Sequence, residues 1–251
     1  MIAPAPRLMD LLLSEGTSYL GRDGEPSEAL GTGLCVVVGT ARAGKTALAW
    51  SLLDFVVRYT DRPVALIGMP DKVLEALPEH WNGRVTNPSL EKMARFKRPA
   101  VCLIDDSAVL LNNRAAMEKR SRNMNKMWGI LSHLGSGLTV ILTTQNLNTV
   151  DVGAYRSTHL AVVVRFCEEF ALRAEQHRWN GLVLSAQEEL QQVASLPYYR
   201  DVYYSLQDDM VCRAEFPQWL DRKAKGNEER GLILSKPYFY LSQREMEERL
   251  T

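Results

Sequence analysis

The sharpest chemical signal in the chain is one short run, Gly39-Thr40-Ala41-Arg42-Ala43-Gly44-Lys45-Thr46. Glycines at its first and sixth positions let the backbone curl, so that successive N–H groups point at one centre, the geometry that phosphate oxygens require. Lys45 supplies a compact cation for β- and γ-phosphates, and the Thr46 hydroxyl is a hard oxygen ligand for Mg²⁺. Ala47 opens a helical pattern whose N-terminal dipole adds to anion binding. Gly39, Thr40, Ala41, Arg42, Ala43, Gly44, Lys45, Thr46 and Ala47 are therefore expected to cradle a nucleotide such as ATP. The plainer alternative, a glycine turn with an incidental lysine, fits poorly between a buried strand pattern and a helix.

Two further runs end in polar groups. Val101-Cys102-Leu103-Ile104-Asp105-Asp106 is an apolar strand closed by acids. Asp105 is placed to hold Mg²⁺ through water, and Asp106 to orient or deprotonate an attacking water. Alone, this pattern reads equally well as a solvated strand end. Leu138 to Leu142 leads into Thr143-Thr144-Gln145-Asn146. The Gln145 amide both donates and accepts, so it suits contact with a γ-phosphate or a water. Turn chemistry by Thr and Asn is the alternative there.

These groups need strands that end together. Continuous apolar runs at 34–38, 63–67, 100–104, 138–142 and 159–166 read as strands buried on both faces. Helical patterns lie between them at 47–59, 71–77, 89–96 and 114–134. The alternation predicts an α/β fold: a mostly parallel sheet with helices on both faces, whose ligands bind at the carboxyl ends of the strands. Past residue 168 the texture changes. Helices are expected at 170–179, 185–196 and 243–250, and a hairpin over 201–206 and 210–216. No linker is evident. The expectation is a single domain spanning 1–251, with a core of about 30–168 and a small α+β elaboration over 169–251.

Composition narrows the field. The 251 residues are 46% hydrophobic and 24% charged, an ordinary globular balance. Thirty basic and thirty acidic residues cancel, which disfavours a globally basic nucleic-acid coat. No apolar run reaches the roughly 18–20 residues of a membrane helix, and the first residues lack the pattern of a signal peptide. Cys35, Cys102, Cys167 and Cys212 lie far apart, the first three in apolar strands. They read as reduced core thiols, and so as a cytoplasmic chain. His80, His133, His159 and His177 have no metal-ligand spacing and read as structural or surface residues.

Three motifs thus stand in order on successive strands. The segment from Ser132 to Gln145 resembles the approach to the sensor glutamine of the FtsK–HerA superfamily of DNA-pumping ATPases. Within that superfamily, the chain resembles the genome-packaging ATPases of membrane-containing icosahedral viruses, the poxvirus type. The likeness runs from about Leu34 to Phe166 and extends more weakly over Tyr203 to Trp219. It implies a RecA-like P-loop core acting as a homo-oligomeric ring of about five or six subunits around double-stranded DNA. In a virus it would lie in host cytoplasm or on the virion, where a capsid or membrane vertex protein is a further partner. Lys45, Thr46, Asp105, Asp106 and Gln145 carry over as site residues. The second acid of the strand-end pair is commonly Glu in this superfamily and is Asp106 here, which leaves the catalytic base open. Relatives often place an arginine just before the sensor strand to reach a neighbour's site. Here that stretch reads Ser132-His133-Leu134, so the finger must come from elsewhere. Arg114, Arg120, Arg122 and Arg156 compete for that role, and Arg42, inside the loop, could touch the phosphates in cis.

From Arg84 to Lys126, ten basic residues outnumber four acids. Such a region is the electrostatic footprint of phosphate-backbone binding, with 112–126 the expected pore-facing element. A solvated helix face is the equal alternative. Other readings are a conjugation or partition motor of the same superfamily, a P-loop kinase of a small molecule, and a nucleotide switch. Gln145 is unexplained in a kinase, and both Asp106 and Gln145 are superfluous in a switch.

Overall fold

The computed structural model describes residues 5–13, 18–20, 26–30, 33–88, 92, 100–105, 138–147, 159–167, 179–193 and 201–237. Within them the strands are β1 (Ser18–Leu20), β2 (Pro26–Leu30), β3 (Gly33–Val38), β4 (Val64–Leu66), β5 (Val85–Thr86), β6 (Val101–Ile104), β7 (Thr139–Thr144), β8 (His159–Val164), β9 (Val202–Ser205) and β10 (Met210–Arg213). The helices are α1 (Pro6–Leu13), α2 (Lys45–Tyr59), α3 (Asp71–Glu75), α4 (Asn180–Val193) and α5 (Glu228–Ser235).

The main sheet has the order β10-β9-β8-β3-β7-β6-β4-β5. Every pair from β8 to β5 is parallel, while β9 runs antiparallel to β8 and β10 antiparallel to β9. β3 is central. Its Val38 pairs with Thr144 of β7 on one side and with Val164 of β8 on the other. All six residues of β3 are buried, as a strand covered on both faces must be.

The side chains alternate between two cores. Cys35, Val37, Leu103, Ile141 and Val163 face one layer, with Leu8 and Leu12 of α1, Leu52 and Leu53 of α2, Val73 of α3 and Leu234 of α5. Leu34, Val36, Val38, Ile104, Leu142 and Val164 face the other, against Val183, Ala186 and Leu190 of α4. Helices therefore cover both faces, and the α/β architecture expected from the sequence is present.

The C-terminal segment is built into this frame. The predicted hairpin forms, but as β9 and β10 it extends the main sheet beyond β8. Farther on, Trp219 enters the first core. Trp50 of α2, Trp81 and Trp219 stack edge to face, with ring centroids 5.9 and 5.7 Å apart. The Trp50 indole donates to the carbonyl of Leu234 in α5 at 2.9 Å. α2, which follows the glycine loop, is thus held by distant parts of the chain.

Some expectations shift. α4 begins at Asn180, ahead of the predicted 185. Cys167 lies just past the end of β8 and is half-buried, whereas Cys35, Cys102 and Cys212 are buried, and all four are free thiols. Arg84, counted in the basic footprint, instead caps α2. Its guanidinium donates to the carbonyls of Val57 in the last turn, of the C-cap Thr60, and of Arg62 just beyond. The predicted helices at 89–96, 114–134, 170–179 and 243–250 fall wholly or almost wholly outside the described residues. No described helix is long and apolar enough to cross a membrane.

Candidate functional site

The loop after β3 turns at the carboxyl ends of the parallel strands. Its first amide, on Gly39, donates to the Thr144 carbonyl of β7 at 3.2 Å. The next, on Thr40, donates to the Phe166 carbonyl beyond β8 at 2.7 Å, and the Thr40 hydroxyl adds a second bond there at 3.2 Å. The loop is thereby suspended between the two neighbours of its own strand. Gly39 has no room for a side chain: an added Cβ would lie 2.9 Å from the Arg165 Cβ and 3.1 Å from the Phe166 carbonyl oxygen.

Gly44 stands at the N-cap of α2 with left-handed backbone (φ 81°), which glycine adopts without steric cost. It brings no side chain to cap the first turn. The opening amides of any helix lack intrahelical partners and its dipole favours an anion, so the start of α2 suits one. Arg42 also has a positive φ, of 66°, and its side chain is exposed. Lys45 is buried, and its ammonium donates to the Thr40 carbonyl across the loop at 2.7 Å.

Thr46, one residue into α2, faces the acid that ends the β6 run. Its hydroxyl lies 3.1 Å from each oxygen of the Asp105 carboxylate. The hydroxyl of Thr143, in β7, donates to Asp105 Oδ1 at 2.6 Å. This geometry follows from the strand order. β7 lies between β3 and β6, so its last residues can brace a carboxylate on one side and the glycine loop on the other. Asp105 is 2% exposed, and both its oxygens accept hydrogen bonds, as a buried polar group requires. Thr46 and Asp105 together present hard oxygen donors, the set suited to a magnesium ion beside bound phosphates.

The structure thus brings together Gly39, Thr40, Gly44, Lys45, Thr46 and Asp105. Gln145 follows β7 directly and is exposed at the same edge of the sheet. Thr144 turns back: its hydroxyl donates to the Asn146 carbonyl at 2.8 Å, the local turn chemistry that was the alternative at this run. Asp106, Arg114, Arg120, Arg122 and Arg156 lie outside the described residues, as does the whole 112–126 element. Sequence reasoning missed Thr143 as a partner of Asp105. It also missed Arg165 and Phe166, whose only local signal was a cation closing the apolar run of β8.

A comparison with protein-family models finds no match, and one with curated proteins finds none. Solved structures with a related chain path include the genome packaging NTPase of Sulfolobus turreted icosahedral virus 2 in complex with ATP-gammaS. That match has 16% identity and a TM-score of 0.48, and covers 73% of this chain and 97% of that one. EssC (ATPases 2 and 3) from Geobacillus thermodenitrificans matches with 11% identity and a TM-score of 0.49, over 99% of this chain and 50% of that one. The cytoplasmic domain of the Thermomonospora curvata Type VII secretion ATPase EccC gives 13% and 0.46, over 88% and 30%. All three are NTPases or ATPases by description.

Proposed function

We propose that this chain is a magnesium-dependent ATPase of the FtsK–HerA type, a single-domain motor that translocates double-stranded DNA and packages a viral genome. The observation that carries the nucleotide site is the meeting of Lys45, Thr46 and Asp105 at the carboxyl edge of the sheet, with the Thr46 hydroxyl 3.1 Å from the Asp105 carboxylate. Phosphate binding draws Lys45 from the Thr40 carbonyl toward the β- and γ-oxygens. The α2 amides and the loop amides hold those oxygens in place. Thr46 and Asp105 would hold magnesium, which would supply positive charge to offset that of the phosphates. Asp106 takes the proton of the attacking water, and Gln145 orients that water from the end of β7. An arginine of a neighbouring subunit in a ring completes the site, with Arg122 the first to test, while Arg42 touches the phosphates from its own loop. DNA threads the ring against the basic 112–126 element, read through its phosphates alone.

The experiment is a measurement of nucleoside-triphosphate hydrolysis by the full chain, with and without long double-stranded DNA. Magnesium-dependent turnover that rises with DNA is expected, and Lys45→Ala abolishes it. Hydrolysis indifferent to DNA would overturn the motor and leave a simple NTPase. Phosphoryl transfer to a small acceptor would mark a kinase.

A further inference from the structure

Arg165 follows the last residue of β8 and keeps the parallel register, its amide donating to the Val38 carbonyl at 2.8 Å. Its side chain turns under the glycine loop and is 2% exposed. Nε donates to the carbonyl of Ala43 at 3.0 Å. A Cβ added to Gly44 would lie 3.1 Å from its Nη2. The base of the side chain closes the space at Gly39, and its tip closes the space at Gly44. The adjacent Phe166 carbonyl holds Thr40. Two successive residues therefore fix both ends of the loop.

The charge is what a purely structural part would not need. Nη1 is buried and has no hydrogen-bond partner among the described residues. The acid whose field reaches Arg165 is Asp201, and that carboxylate is held by Arg213 Nε at 2.6 Å. Burial pulls the Arg165 pKa down to about 10, so the group remains a cation at neutral pH. A desolvated cation without its own carboxylate works against folding, and an apolar chain of similar shape serves a core better. Here it sits behind a loop whose opposite side presents Lys45 and the opening turn of α2.

We propose that Arg165 is a positioning residue for phosphate: it sets the Ala43–Gly44 peptide and lends the cradle a fixed positive charge, at the expense of the free protein's stability. The inference rests on the reading of the loop as a nucleotide site. Its ligand class is the polyphosphate of a nucleotide, irrespective of the base.

The test uses the full chain as wild type, Arg165→Met, Arg165→Lys and Lys45→Ala. Binding of MgATP and of magnesium tripolyphosphate is measured by calorimetry, and melting is followed without ligand. Arg165→Met is expected to weaken both ligands by the same factor, about tenfold or more. It should melt no lower than the wild type, and Arg165→Lys should regain part of the affinity. Unchanged affinity, a loss confined to MgATP, or a loss matched by a clear fall in melting temperature each overturns the proposal. If Arg165→Met does not fold, the ¹⁵Nε resonance of Arg165 in the wild type decides. A shift on adding tripolyphosphate supports the proposal, and a resonance that ignores it overturns it. Failure of the loop reading itself looks different: the wild type then binds neither ligand, or Lys45→Ala binds both as the wild type does.

Discussion

The indole of Trp219 donates its N–H to Asp54 Oδ1 at 3.0 Å, across 165 residues of sequence. The same oxygen accepts from the Trp81 indole at 3.0 Å and lies 2.8 Å from His80 Nε2. The other oxygen pairs with Arg58 Nε at 2.8 Å. One carboxylate, on the helix that follows the glycine loop, thus fastens two tryptophans from distant turns. It is 3% exposed and both indoles are buried, so the two tryptophan N–H groups have no water to fall back on. Asp54→Ala should therefore destabilise the fold by about 3 kcal/mol, as buried donors lose their acceptor. Urea unfolding measures this, and a loss below about 1 kcal/mol would show that the hub is dispensable.

Thr143 tests the brace on Asp105. Thr143→Val removes the 2.6 Å bond to Oδ1 and keeps the shape of the side chain. Groups that orient a metal-binding carboxylate typically contribute about 10–100-fold to metal affinity. The variant should need correspondingly more magnesium for half-maximal hydrolysis, while nucleotide affinity in EDTA stays at the wild-type value. An unchanged magnesium curve would remove Thr143 from the site.

Arg42 occupies left-handed backbone, which costs a non-glycine residue on the order of 1 kcal/mol. Arg42→Gly should raise stability by up to about that amount. If the side chain also touches phosphate, turnover should fall by about tenfold or more. Stabilisation with full turnover would reduce Arg42 to a strained loop residue.

Cys35 gives a pH dependence. Burial pushes its thiol up to about 12, above the ordinary value of 9.0. The folded chain then keeps a proton that the unfolded chain releases between those values. Stability from this group is full below pH 9 and is lost as pH rises toward 12. Denaturant midpoints should fall over that window, and Cys35→Ala should flatten the fall. At pH 8 a thiol reagent should label half-buried Cys167 well before Cys35.

Much of this was legible because a strand buried on both faces leaves an unbroken apolar run, as at 34–38 and 138–142. The glycine loop was legible because its function fixes residue types at fixed spacing. What escaped was relational. Arg165 and Arg84 are each a cation whose meaning depends on carbonyls far away in sequence. α1 carried signals that went unused: Pro6 at its first position, and Leu8 and Leu12 one turn apart. Gly181, a poor helix former, obscured the true start of α4. The hairpin was recognisable from its turn, but only cross-strand pairing could show that β9 joins β8.

That joint has a mechanical consequence. β3 and β7 are laddered from Gly33–Thr139 to Val38–Thr144, whereas β8 meets β9 through Val163–Ser205 and Val164–Tyr204. Below them, Leu206 donates to the Val162 carbonyl, and the Val162 amide bonds to the Gln207 side chain in place of a strand partner. The sheet therefore has a stiff middle and a compliant seam one strand away from the loop. Force applied along the hairpin would shear that seam before it disturbed the strands that carry Lys45, Thr46 and Asp105. A pull confined to the hairpin is filtered at β8, and the first groups it reaches on the way inward are Arg165 and Phe166.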